Sequence, residues 1–546
     1  MDMKSIKYLH PILFALFPIV SVYSENVDQV ILEDTVRITI GSLLVVVTLL
    51  IMARYLTKSW AIVALIVSAL EILFFSYGHL YLSIKNLAIG SFVIGRHRYI
   101  IALSFILLVG WVWITFRLRS KEYLLSTLLF IIAITVFVLP VTSLVHHLAE
   151  NISLEPMQLT ADSVEAASES RVGGAVRPDI YYIIVDGYAR EDVLLNLYDY
   201  DDSQFLNFLR SEGFYVAAES RSNYNQTDLS LSSSLNMKYL EFIPDTYGTK
   251  YDNRSPLREL ILHNEVVRLL KGYGYQVVAF DTGYDRTTLD TADIFWSLPT
   301  DEHRSSAKSN VGLNLNSFEN LILRSSAMMF VFDAPIFTEN FKLISVEDAQ
   351  YSTHRSRILD SLQKLKEVPE MEGNYFVYSH IIAPHPPFVF GPHGEWITPE
   401  GTYTLAREGT FFTGSPQDYI AGYRGQIEHI NILLTETIKS IIAKSSPAPI
   451  IILQADHGPG AFLDQHSNEN SNFYERVSIL NAYYLPSNGA SILYPGISPV
   501  NSFRVVFNQF FETNFDLLED RSYFSTIDEP YNFQLVTEEM YRQQEQ

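Results

Sequence analysis

Two short stretches carry residues that could do chemistry together. The run Ile180–Val185 ends in Asp186 and Gly187, and the run Ile450–Leu453 is followed shortly by Asp456, His457 and Gly458. Each is bulky and apolar, the pattern of a central parallel strand buried on both faces. An acid that ends one such strand often only caps the turn after it. Two acids at two strand ends, one joined to a histidine, point instead to a shared metal. Carboxylate and imidazole together suit Zn²⁺ or Mn²⁺ rather than Ca²⁺. Between them lies SNYNQTDLSLSSSLNM, residues 222–237, with Thr227, Ser230, Ser232, Ser233 and Ser234. A hydroxyl at a helix N-terminus beside a divalent cation can lose its proton and attack phosphorus. By itself, the segment reads equally well as a helix capped by Thr227 or Asp228.

The elements that must position these residues follow from periodicity. Amphipathic helical segments precede apolar runs again and again: NEVVRLLKGYGYQVVAF, RILDSLQKLKEV before NYFVYSHIIAPHPPF, and RGQIEHINILLTETIKSIIAKS before residues 449–454. Helices alternating with strands predict a doubly wound α/β sheet. In such a sheet, ligands bind beyond the carboxyl ends of the strands, where Asp186 and Asp456 stand.

The first 150 residues differ in composition. They hold 11 of the 39 Lys and Arg residues and 8 of the 61 Asp and Glu; the remainder carries 28 against 53, a net charge of −25. That charge argues against a nucleic-acid partner, which needs a positive footprint. Five apolar stretches, about 8–23, 37–54, 60–82, 98–116 and 123–145, predict a membrane domain. Four can cross a bilayer core, which takes roughly 20 helical residues. The first is shorter, holds Pro11 and Pro18, and has a cleaved signal peptide as its other reading. Lys4 and Lys7, Arg54 and Lys58, and Arg117, Arg119 and Lys121 fall on one side of five spans, while Lys85, Arg96 and Arg98 break the pattern. The majority predicts that side to be cytoplasmic and the C-terminal domain to be outside. Glu71, inside the third span, is read as making a helix-packing hydrogen bond. The predicted organisation is a transmembrane domain at 1–145, a linker at 146–177 and an α/β domain at 178–546. There is no cysteine, so thiolate metal sites and catalytic thiols are excluded.

PDIYYIIVDGYAR, YNQTDLSLSSSLN, HIIAPHPPFVF and QADHG, in that order, resemble the alkaline phosphatase/sulfatase superfamily. With the five-span anchor, the chain looks like the membrane branch of lipoteichoic acid synthases and lipid A phosphoethanolamine transferases. The resemblance implies an alkaline-phosphatase-like α/β domain and one divalent metal, Mn or Zn, with Mg as a further option. It implies Asp186, Thr227, Asp456 and His457 as metal ligands and Thr227 also as the nucleophile. His385 of the HPPF segment would bind or protonate the substrate phosphate, with His380 and His466 as further candidates for that pocket. The implied reaction moves a phospholipid headgroup phosphate, phosphoglycerol or phosphoethanolamine, onto an envelope glycan through a phospho-threonine. A bacterial inner-membrane protein with its catalytic domain in the periplasm is implied. The alternatives are a sulfatase-like phosphodiesterase or sulfuric ester hydrolase, and a non-catalytic envelope-binding membrane protein. Two departures stand out. The Cys/Ser-x-Pro-x-Arg sequence of true sulfatases is absent, SPLR at 255–258 having the wrong spacing, and there is no clear second Asp-x-x-x-His metal pair.

Overall fold

The computed structural model describes residues 6–25, 27, 32–85, 87–89, 92–93, 95–153, 177–298, 316–332, 346–399, 403–486 and 489–545. The chain divides into two compact units, residues 1–157 with 307–346 and residues 158–306 with 347–546. Most of the stretch read as a linker lies outside the described residues. Residues 307–346, which the sequence reading places in the α/β domain, group with the membrane helices.

Among the described residues, the N-terminal part of the first unit holds five α-helices: α1 His10–Glu25, α2 Leu32–Thr57, α3 Trp60–Ile84, α4 His97–Arg117 and α5 Glu122–Ser153. The last four are long and apolar enough to cross a membrane; α1 has 16 residues. The three basic connections predicted to share a side do meet at one end of the bundle. Lys7 sits 4.4 Å over the Tyr123 ring, and Ser59 donates to Glu122 at 3.1 Å. α1 is fastened into the bundle by His10, whose ring nitrogens lie 2.6 Å from Ser68 and 3.1 Å from Ser126. Glu71 is buried, but the expected hydrogen bond is missing: among the described residues neither carboxyl oxygen has a partner.

Among the described residues, the main sheet of the second unit has seven strands: β1 Ile180–Val185, β2 Tyr215–Val216, β3 Gln276–Phe280, β4 Ile294–Trp296, β5 Tyr375–Ile381, β6 Ile450–Gln454 and β7 Asn481–Tyr484. Their order is β2-β7-β6-β1-β5-β3-β4. The β6-β1-β5-β3-β4 pairs are parallel; β7 runs antiparallel to β6 and β2. Alternate residues of β1 enter different cores, as the two-residue strand period requires. Tyr181, Ile183 and Val185 pack with helices Val346–Leu365 and Pro416–Lys444. Ile180, Tyr182 and Ile184 pack with helices Thr227–Asn236, Glu265–Gly272 and Pro499–Phe510. Helices on both faces make the sheet doubly wound, as predicted. They also explain why β1 has no polar residue: it has no solvent face.

Candidate metal centre and catalytic pocket

β1 lies between β5 and β6, and Ile184 is level with both His380 and Gln454. Three parallel neighbours therefore end together, and their last side chains converge. One ligand atom each from Asp186, His380 and Asp456 falls within 4.8 Å of the others. His457 joins them, its Nε2 lying 3.3 Å from Asp456 Oδ2 and 3.7 Å from Asp186 Oδ1. Its Nδ1 is 2.9 Å from the Gly458 carbonyl. Donation there leaves the lone pair on Nε2, the tautomer that a metal ligand needs. No hydrogen bond reaches Asp186 Oδ1 or Asp456 Oδ2, and both are buried. Adjacent buried carboxylate oxygens without donors are costly unless a cation sits among them. The donor set of oxygens and imidazole nitrogen suits a divalent metal. His380, first read as a phosphate contact, stands within the ligand cluster. Its Nε2 is 3.1 Å from Asp186 Oδ2, and its Nδ1 is 2.9 Å from Thr287 Oγ1.

Thr227 is the first residue of helix Thr227–Asn236. Its hydroxyl donates to His457 Nε2 at 2.9 Å. The serines that follow are engaged elsewhere. Ser230 donates to the Asp456 carbonyl at 2.7 Å, Ser232 to Leu257, Ser233 to Lys238 and Ser234 to Ser230. The tertiary structure thus singles out Thr227 from a run of five hydroxyls. The capping alternative is corrected: the N-cap is Gln226, and it makes no side-chain cap bond. Asp228 instead accepts two bonds from Arg254, at 2.8 and 3.0 Å. The helix N-terminus opens on a cavity of about 110 Å³, lined by Thr227, Arg254, Tyr284, Arg286, His385 and Arg476 among others. Asp186, Asp228 and Glu408 line it as well, but Arg254, Arg286, Arg476 and His385 outnumber them and, with the helix N-terminus, make it a place for an anion.

His385 follows β5 and is bound by its backbone N–H to the Asp186 carbonyl, 3.1 Å away. Its Nε2 lies 3.5 Å from Glu408 Oε2. Burial alone would lower its pKa, but the carboxylates of Asp186 and Glu408 outweigh burial and push it up to about 9. Burial would likewise raise Asp186, yet the imidazoles of His385, His457 and His380 hold it down at about 2. His466 is exposed, its Nδ1 2.7 Å from Asp528 Oδ2, with Phe411 of the cavity wall edge-on to its ring at 5.4 Å. The structure therefore gathers Asp186, Thr227, His380, His385, Asp456 and His457, and leaves His466 at the rim.

The sequence reading missed Glu408, Arg476, Arg254 and Arg286. Arg476 donates to the Asn225 carbonyl at 2.7 Å and the Gly458 carbonyl at 2.9 Å, and pairs with Glu408 at 2.7 Å. One buried guanidinium thus ties the loop before Thr227 to the loop of Asp456 and His457. The only sequence signal for it was glycine. A Cβ on Gly458 would lie 2.1 Å from the Glu475 carbonyl oxygen, and one on Gly460 2.7 Å from Glu408 Cγ. Both glycines admit a close approach that any side chain would block.

No protein-family model matches the chain, and no curated protein matches it. Solved structures do. The integral membrane lipooligosaccharide phosphoethanolamine transferase A of Neisseria meningitidis is 11% identical, over 93% of this chain and 95% of that one, with a TM-score of 0.37. The periplasmic domain of a phosphoethanolamine transferase from Campylobacter jejuni is 13% identical over 63% and 92%, TM-score 0.37. The phosphonate monoester hydrolase of Agrobacterium radiobacter is 12% identical over 64% and 80%, TM-score 0.38. The chain is similar to each of these, while its own fold assignment stands on the strand order and register above.

Proposed function

We propose that the protein is a metal-dependent phosphoester transferase or hydrolase of the sulfatase-like kind, anchored in the bacterial inner membrane with its α/β unit on the periplasmic side. The observation that carries this is the junction of Thr227 Oγ1, His457 Nε2 and two donor-less buried carboxylate oxygens beside an arginine-lined cavity. Asp186, Asp456 and His457 would hold the metal with Thr227, and His380 stands ready as a further ligand. A bound divalent ion would supply Lewis-acid charge at the phosphoryl oxygens and lower the pKa of a coordinated hydroxyl.

The finer proposal is transfer of a phospholipid headgroup phosphate. Thr227 Oγ1 gives up its proton to solvent and attacks phosphorus as the bond to the diacylglycerol oxygen breaks. His385, held protonated by its carboxylate neighbours, gives that oxygen its proton. Arg286 and Arg476 hold the phosphoryl oxygens. In the second half, a hydroxyl of an envelope glycan, or water, takes the group from Thr227 and returns its proton to the site. A membrane anchor supports a lipid donor, since enzyme and donor then share one plane.

The test is the intact mass of the full-length protein in detergent with Mn²⁺ or Zn²⁺, after exposure to phosphatidylglycerol or phosphatidylethanolamine. A headgroup-phosphate adduct, absent in Thr227→Ala, is the expected result and names the donor. A metal-loaded protein that forms no adduct with either lipid would remove the headgroup-transfer reading.

A further inference from the structure

Residues 316–332 lie in the chain between β4 and β5 of the α/β unit, yet they are built into the membrane unit. Helix Ser317–Arg324 starts with a capping box between Asn316 and Glu319. Asn316 Nδ2 also donates to the Asp34 carbonyl of α2 at 2.9 Å, and Glu319 pairs with Arg37 of α2. Phe318 and Ile322 pack on Ile19 of α1. Beyond this helix the chain meets the middle of a membrane helix. The Ala327 N–H donates to the Phe74 carbonyl at 2.8 Å, and the Gly78 N–H to the Ser325 carbonyl at 3.1 Å. Gly78 is required there: a Cβ would lie 2.4 Å from the Ser325 carbonyl carbon.

Depth follows from helix geometry. The apolar stretch of α3 is bounded by Lys58 and Lys85. At about 1.5 Å rise per residue, Phe74 lies about 4 Å and Gly78 about 10 Å from its middle. The hydrocarbon half-thickness is about 15 Å. By the same rise His97, which begins α4 between Arg96 and Arg98 and is bonded to Tyr77 at 2.8 Å, lies about 16 Å from the middle of the apolar stretch of α4, so the contact made by Ser325–Ala327 lies in the outer part of the acyl layer, near the headgroups. Non-helical backbone is tolerated there only when its polar groups are paired with protein, and the two bonds to α3 do that pairing. The adjoining sequence AMMFVF is apolar, and Leu321 and Phe330 are each 40% exposed. In water these side chains would be a cost; in lipid they continue the apolar outer surface of the helices.

From this we infer that residues 316–332 form a re-entrant membrane element whose free face is covered by phospholipid acyl chains. The chain thus enters the bilayer a further time, after α5 has left it. The inference does not depend on the reaction proposed above.

The absence of cysteine makes the test direct. Single variants Leu321→Cys and Phe330→Cys, labelled with an environment-sensitive fluorophore, are placed as full-length protein in phosphatidylcholine liposomes carrying doxyl groups on the acyl chains. Leu103→Cys, on the exposed face of α4, serves as the lipid reference, and Leu195→Cys, exposed on the α/β unit, as the water reference. With the doxyl group high on the acyl chain, quenching at 321 and 330 well above that at 195 is expected; values equal to those at 195 would overturn the inference. Should a variant misfold, the unmodified protein is photolabelled with a diazirine dissolved in the acyl layer. Label in peptides from 316–332 supports the element, and its absence there, with α4 labelled, overturns it.

Discussion

At the residue scale, the site stores electrostatic tension that a metal relieves. Asp456 Oδ1 accepts from the Gly187 N–H at 3.2 Å, while Oδ2 has no donor. Asn at this position keeps the carbonyl bond and removes one of two neighbouring buried charges. Asp456→Asn should therefore stabilise the metal-free protein by about 0.5–2 kcal/mol and abolish the rise in melting temperature produced by Mn²⁺ or Zn²⁺. Thermal scans with chelator and with metal check both halves; a variant that melts lower without metal would contradict the argument. His385 and Glu408 show the same logic reversed. Each is a buried group held in its charged form by the other, and by Asp186 and Arg476.

At the scale of elements, helix Pro416–Lys444 is joined to helix Ser203–Ser211 through a buried acid. Asp202 accepts from Tyr188 at 2.9 Å and from Asn431 at 2.7 Å. Burial raises its carboxyl to about 7 despite these two bonds. A folded pKa above the unfolded value near 3.9 means stability that is complete below about pH 4 and lost as pH rises through about 7. The shift of about 3 units sets an upper bound of about 4 kcal/mol on that loss. Asp202→Asn should flatten the fall in melting temperature between pH 5 and pH 8. An unchanged pH profile would mean that Asp202 is ionised throughout. The elements themselves were largely legible in the sequence. The run before Asp186 and the run before Asp456 became the central strands β1 and β6, because β-branched and aromatic residues without polar interruption suit only a doubly covered sheet. The antiparallel direction of β7 is not visible in its residues, since direction is set by the connection and not by composition.

At the scale of the whole molecule, metal binding acts on one unit only, because every ligand candidate belongs to residues 158–306 or 347–546. At free metal about 100 times Kd, the α/β unit should gain about 2.7 kcal/mol, and chelation should remove it. Calorimetry of the full chain would show the α/β transition moving while the bundle transition stays; a common shift of both would show that the units unfold together.

Some properties belong to the sequence alone. The membrane helices follow from hydropathy, the α/β order from alternating periodicity, and Asp186, Asp456 and His457 as candidates from strand ends, all of which are local patterns. The tertiary structure decided what depends on distance across the chain. It chose Thr227 over four serines, because only that hydroxyl reaches His457. It brought His380 to Asp186, because β5 pairs beside β1 in a register no local pattern records. It made Arg476 the tie to a loop 251 residues earlier, and it joined residues 316–332 to helices nearly 300 residues earlier. Register, pairing and close approach are properties of neighbours in space, and a sequence lists only neighbours along the chain.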